Sequence, residues 1–142
     1  MATIRQLLST KGNEVWSVGP EASVFEAIEI MAAKGIGALV VLEDDRLVGM
    51  ISERDYARKV VLKERESKRT RVGEIMTKEV LYARPDHTVE ECLALMTEKR
   101  IRHLPVMDGE KLMGMVSIGD LVKSVIAEQQ HVIEQLEHYI SG

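Results

Sequence analysis

Gly49-Met50-Ile51-Ser52-Glu53-Arg54-Asp55 recurs 65 residues later as Gly114-Met115-Val116-Ser117-Ile118-Gly119-Asp120. In both stretches a buried-type strand ends at a serine, and an aspartate follows three positions on. That spacing is the signature of a helix start: the serine accepts a backbone N–H, and the acid returns the bond and favours the positive end of the helix. Each stretch therefore reads as a strand running directly into a helix.

Working outward at the same offset, Glu14 through Tyr56 align with Glu79 through Leu121 without a gap, and fifteen of the forty-three pairs are identical. A repeat of this kind sets the architecture before any single element does. After Pro20 and Pro85, Ser23 and Thr88 cap the stripes Val24, Ala27, Ile28, Met31 and Val89, Cys92, Leu93, Met96, each an amphipathic helix of about three turns. The runs Ala38 to Leu42 and His103 to Met107 have strand length. Glu43-Asp44-Asp45 and Asp108-Gly109-Glu110 turn them into the strands Leu47 to Ile51 and Leu112 to Val116. With short strands at Val15 to Val18 and Val80 to Tyr82, the expected fold is α+β: two β-α-β-β-α repeats related by a pseudo-twofold and packed into one module.

The segments divide as repeat 1 with a lead-in helix at 1–62, a connector at 63–78, repeat 2 at 79–126 and a helical extension at 127–142. From Asp120 onward no Pro or Gly interrupts the chain before Gly142. Val122, Ile126, Ile133, Leu136 and Ile140 fall there on 4-3 spacing. A long helix with an apolar stripe is predicted, and its pairing as a homodimer follows.

Composition narrows the function. Aromatics are 4% and the net charge is −4, so neither a base-stacking platform nor a surface-wide polyanion footprint is available. Eight of the nineteen basic residues lie between Arg54 and Arg71, but the acids interspersed among them read as a solvated helix and loop. Nucleic acid is not the expected partner. The single cysteine, Cys92, excludes a disulfide framework and fits a reducing, cytoplasmic setting; it sits on a helix core stripe. No run is long and apolar enough to span a membrane, and Arg5 and Gln6 interrupt any leader. His87, His103, His131 and His138 show no metal-ligand spacing, and no base or nucleophile has a partner, so the reading is not an enzyme, with no catalytic residue or metal site.

The serine-aspartate ends carry the remaining chemistry. An aspartate in the first turn of a helix can accept both hydroxyls of a ribose, while helix N–H groups and the serine face a phosphate. Arg54 and Arg58, one turn apart, are candidate phosphate partners or solvated charges.

The ordered set, with Gly35-Ile36-Gly37-Ala38-Leu39-Val40-Val41 beside Arg100-Ile101-Arg102-His103-Leu104-Pro105-Val106, resembles a tandem pair of CBS domains, a Bateman module, over roughly Ile4 to Ile126. The resemblance implies a stand-alone regulatory module. It would bind AMP, ADP, ATP or NAD(H), with S-adenosylmethionine less favoured, in clefts between the repeats, and signal to an effector protein or through its oligomeric state. Carried over, one site would use Met50, Ile51, Ser52 and Asp55 with Leu81, Arg102 and His103. The other would use Met115, Ser117, Gly119 and Asp120 with Asn13, Val15, Ile36 and Gly37. Asp55 and Asp120 would hold the ribose. Gly37-Ala38 replaces the pair Arg102-His103, which makes the two sites unequal toward phosphate. The alternative is an interaction and dimerisation module that binds no ligand.

Overall fold

The computed structural model describes residues 1–141. In chain order, α1 is Ile4–Lys11, β1 Ser17–Val18, α2 Val24–Lys34, β2 Ala38–Glu43, β3 Arg46–Ser52 and α3 Glu53–Tyr56, which continues into a π-helical turn at Ala57–Val61. Then come α4 Val72–Ile75, α5 Val89–Lys99, β4 His103–Asp108, β5 Lys111–Ser117 and α6 Ile118–Ser141. The class is α+β, as read.

The chain packs as two units, one of residues 15–81 and the other of residues 1–14 with residue 82 onward. In the 15–81 unit a three-stranded sheet has the order β1-β2-β3, with β1 parallel and β3 antiparallel to β2. Ser23 Oγ accepts from the Glu26 N–H at 3.1 Å to start α2, and Gly35 at φ +64 ends it. Between these caps Val24, Ala27 and Met31 turn inward onto Leu39, Val41 and Ile51.

The second unit repeats this with different residues. Thr88 Oγ1 accepts from the Glu91 N–H at 3.1 Å, Val89, Cys92 and Met96 are buried against Leu104, Val106 and Val116, and Arg100 takes the left-handed position at φ +55. Both hairpins bulge at the same place, so Val48 and Met113 are the extra residues opposite Val41–Leu42 and Val106–Met107. The turn residues Asp44 and Asp45 both have positive φ, as a two-residue hairpin of matching twist requires.

One expectation is corrected. The strand at Val80 to Tyr82 is absent: the second sheet contains only β4 and β5, and its counterpart of β1 is a single parallel bridge between Ala83 and Val106. Ala83 donates to the Pro105 carbonyl at 2.9 Å and accepts from the Met107 N–H at 2.8 Å. The next rung needs an N–H from residue 105, which proline lacks; Val40 holds that place in β2.

Packing groups the segments by unit. The lead-in helix α1 packs with the second repeat, and the 63–78 connector packs with the first. The connector, moreover, is a lead-in of the same design. Ile4 and Arg5 donate to the carbonyls of His87 and Pro85 at 2.9 Å each, and Val72 and Gly73 donate to those of Ala22 and Pro20 at 2.8 Å each. Thr3 N–H donates to Gln6 Oε1 at 2.9 Å, as Arg71 N–H does to Glu74 Oε2 at 2.7 Å. Each repeat thus begins with a capped helix and lends it to the other unit.

Glycines at the head of the two motifs make room for these segments. A Cβ on Gly49 would lie 2.7 Å from Met76 Sδ and 2.9 Å from the Thr77 carbonyl oxygen, and one on Gly114 would lie 3.0 Å from Leu8 Cδ2. Without side chains there, the lead-ins lie directly across β3 and β5.

Candidate functional site

Each unit places its serine and aspartate where a sheet strand becomes a helix. In the 15–81 unit, Asp55 Oδ2 accepts from the Ser52 N–H at 3.0 Å and the Ser52 hydroxyl at 3.1 Å, while Ser52 Oγ accepts from the Asp55 N–H at 3.2 Å. Asp55 Oδ1 takes the Thr77 hydroxyl at 3.3 Å and Lys59 Nζ at 3.0 Å. Lys59 also donates to the Ile75 carbonyl at 2.9 Å, and Met50 pairs with Thr77 through two backbone bonds of 3.0 and 2.8 Å. Both oxygens of Asp55 are therefore committed, and only 12% of its side chain is exposed.

Asp120 is the same residue of the repeat in another situation. Its Oδ2 accepts from the Ser117 N–H at 2.8 Å and from Lys11 Nζ at 2.6 Å, and Ser117 Oγ accepts from the Asp120 N–H at 3.1 Å. Lys11 Nζ also donates to the Met115 carbonyl at 2.6 Å. Among the described residues these bonds fall on one carboxylate oxygen, and the side chain is 23% exposed. Partial burial pushes its acidity constant up but is outweighed by the Lys11 hydrogen bond, the Ser117 bonds and the Lys11 charge, so the carboxyl sits below the usual carboxylate value.

The capping role read from sequence is thus realised, and it uses up much of what was expected to face an anion. Besides the N–H groups held by serine, those of Glu53 and Ile118 donate to the Gly37 and Arg102 carbonyls at 3.0 and 2.8 Å. Gly119 is exposed in the first turn of α6, where an added Cβ would meet only Ser117 Oγ at 3.6 Å.

The other predicted residues distribute as follows. The 15–81 unit brings Gly37 and Met50 to the Ser52–Asp55 corner. Ile51 is fully buried in the core, so its side chain is not at the surface of that corner. Ile36 packs on the same core; Val15 is half-buried, and Leu81 is exposed outside any strand. In the other unit His103 pairs with Ser117 across the hairpin, and Arg102 adjoins them through its carbonyl. Asn13 lines a cavity of about 330 Å³ with Arg5, Leu8, Ser9, Gly12, Pro85 and Met113. Arg54 and Arg58 are exposed on α3 and the π-turn.

Of the basic stretch, Lys59 is taken by Asp55, Arg69 pairs with Glu66 at 3.2 Å, Arg71 pairs with Glu21, and Lys68 lies over the Phe25 ring at 4.8 Å. Cys92 is 2% exposed, and burial followed by the Glu91 charge pushes its thiol up to about 11, the state of an inert core cysteine. Among the described residues no group of three or more His, Cys, Asp or Glu could hold a metal ion, and no helix is long and apolar enough to cross a membrane.

Three residues of the site escaped the sequence reading. Lys59 could have been paired with Asp55 by its four-residue spacing. Lys11 and Thr77 come from the lead-in segments, and nothing local to either aspartate signals them.

Two units built on one duplicated corner, each closed by an exchanged lead-in, define a paired-domain module. The CBS domain family model matches residues 4–62 and 72–127, and the chain belongs to that family, carrying its domain twice. It is 39% identical to the mitochondrial CBS domain-containing protein CBSX3 of Arabidopsis thaliana over 150 residues, covering 99% of this chain and 72% of that one. A solved CBS-domain protein of Burkholderia ambifaria superposes with a TM-score of 0.87 at 56% identity, covering 90% of this chain and 96% of that one. The CBS domain pair of protein MJ0100, solved with 5-methylthioadenosine and S-adenosyl-L-methionine, shares the fold with a TM-score of 0.79 at 23% identity, covering 90% of this chain and 98% of that one.

Proposed function

We propose that the protein is a regulatory sensor of adenosine-containing ligands, taking AMP, ADP, ATP or NAD(H) in preference to S-adenosylmethionine. It signals to an effector protein or through its oligomeric state, as a homodimer in the cytoplasm, and catalyses no reaction. The observation that carries this reading is the Asp120 carboxylate, on whose Oδ2 the Lys11 and Ser117 N–H bonds converge among the described residues. An aspartate held ionised by its neighbours, with those bonds gathered on one oxygen, is an acceptor for a ribose diol. Asp55 serves as the second acceptor, and it must first release Thr77 or Lys59, so the two sites differ in affinity. Ser52, Ser117 and Gly119, with the side chains of Arg102, His103, Arg54 and Arg58, serve the phosphate. Asn13, Val15, Ile36, Gly37, Met50, Leu81 and Met115 serve the adenine, with Ile51 contributing backbone.

The test is calorimetry of the wild type and Asp120→Ala across AMP, ADP, ATP, NAD, NADH, S-adenosylmethionine and adenosine. Hydrogen bonds to a charged group are worth about 1.5–3 kcal/mol, so the substitution weakens the tightest ligand roughly ten- to a hundredfold. Binding by none of these compounds would leave the interaction module as the function.

A further inference from the structure

Helix α6 carries more apolar surface than its own unit covers. Leu121 is buried and Val125 packs on the unit's core, but every residue from 129 to 140 is exposed. Ile126, Ile133 and Leu136 keep 54%, 53% and 56% of their surface open. Positions 122, 126, 129, 133, 136 and 140 form the alternating seam of a two-helix pair, with Gln129 its one polar member.

The two flanks of that seam differ. One carries Val132 and Tyr139; the other carries Lys123, Gln130 and Glu137. In a parallel pair each flank meets the opposite flank of the neighbour, which would set Val132 and Tyr139 against the polar one. In an antiparallel pair each flank meets its own kind. Apolar then lies on apolar, and Lys123 can reach an acid.

We propose that α6 binds α6 of a second copy of this chain, antiparallel about a twofold axis beside residue 131. The register sets Ile126 against the partner's Leu136 and Lys123 against the partner's Glu137, each contact occurring twice by symmetry. It is the one antiparallel register that covers all six seam positions. A slip of seven residues leaves two seam positions of each helix bare and replaces the partner's Glu137 opposite Lys123 by the partner's Gln130 or by nothing. The proposal rests on the homodimer named above and not on the ligand.

Single cysteines at Ile126 and Leu136 in the full-length protein test it, since Cys92 is buried. In the proposed register two copies of either position lie ten residues apart, about 15 Å along the helix, beyond the roughly 7 Å that a disulfide spans. Position 126 of one copy adjoins position 136 of the other. Under mild oxidation each variant alone is expected to remain uncrosslinked, and an equimolar mixture of Ile126→Cys and Leu136→Cys to give a covalent dimer. Crosslinking of each variant alone, or none in the mixture, overturns the register. Charge exchange provides a check free of cysteines: Lys123→Glu weakens the dimer about fivefold, and Lys123→Glu with Glu137→Lys restores it. Absence of that rescue also overturns the register, and a monomeric wild type by sedimentation at micromolar concentration overturns the dimer itself.

Discussion

Asp55 and Asp120 occupy equivalent places in the repeat and do different work. Asp55 ties Ser52, Thr77 and Lys59 together with both oxygens, so its loss unties the lead-in segment as well as the helix cap. Asp55→Ala should lower the unfolding free energy by about 2 kcal/mol and Asp120→Ala by about 1 kcal/mol, an order that urea midpoints will show. Lys11 is the matching residue on the other side. The Asp120 carboxyl is held below its ordinary value, so its contribution to stability is present above the unfolded value of about 3.9 and is lost as pH falls through the lower folded value. Lys11→Met should therefore cost stability at pH 7, with the difference between variant and wild type shrinking below about pH 4; an undiminished difference in acid would assign the cost to packing. At this scale the sequence made the local partners legible. Ser52 and Ser117 stand three residues from their aspartates, and Cys92 stands on a helix stripe. Lys11 lies 109 residues from Asp120, and no periodicity reaches that far.

At the scale of elements, the repeat announced two helices and two hairpins per unit because caps, stripes and turn residues are all short-range signals. It missed α4 as the twin of α1. In each twin the third helical side chain accepts the N-cap N–H, and the first two N–H groups donate to equivalent carbonyls, yet Thr3-Ile4-Arg5-Gln6 and Arg71-Val72-Gly73-Glu74 have no residue in common. They also stand 68 residues apart where the rest of the repeat stands 65 apart. The lost strand at Val80 to Tyr82 was legible in principle, since Pro105 sits where a rung must be donated. The glycines test how the lead-ins are seated. Gly49→Ala would press on the Thr77 backbone and Met76, costing about 1–3 kcal/mol; Gly114→Ala presses on the tip of the Leu8 side chain, which can turn aside, and reaches Asn13 Cα only at an ordinary 3.6 Å, so it should cost less. Thermal melts of the two variants decide this, and equal costs would mean that Leu8 is as fixed as backbone.

For the whole molecule, the duplication explains why one chain carries two serine-aspartate corners, and the exchange of lead-ins explains why their carboxylates are held differently. The segment lent to the second unit brings a lysine to one oxygen of Asp120, while the segment lent to the first brings a threonine to Asp55, beside a lysine from its own helix. The ordered motifs, occurring twice, were enough to read the family, since they are local runs of residues, but the difference between the two aspartates arises only when distant segments meet. The role of the Asp120 carboxylate is tested by comparing AMP with 2′,3′-dideoxy-AMP by calorimetry in wild type and in Asp120→Ala. If the Asp120 carboxylate receives the ribose diol, the wild type should prefer AMP by roughly ten- to a hundredfold, and the variant should lose most of that preference. Equal binding of the two nucleotides by the wild type, or a preference unchanged in Asp120→Ala, would contradict it.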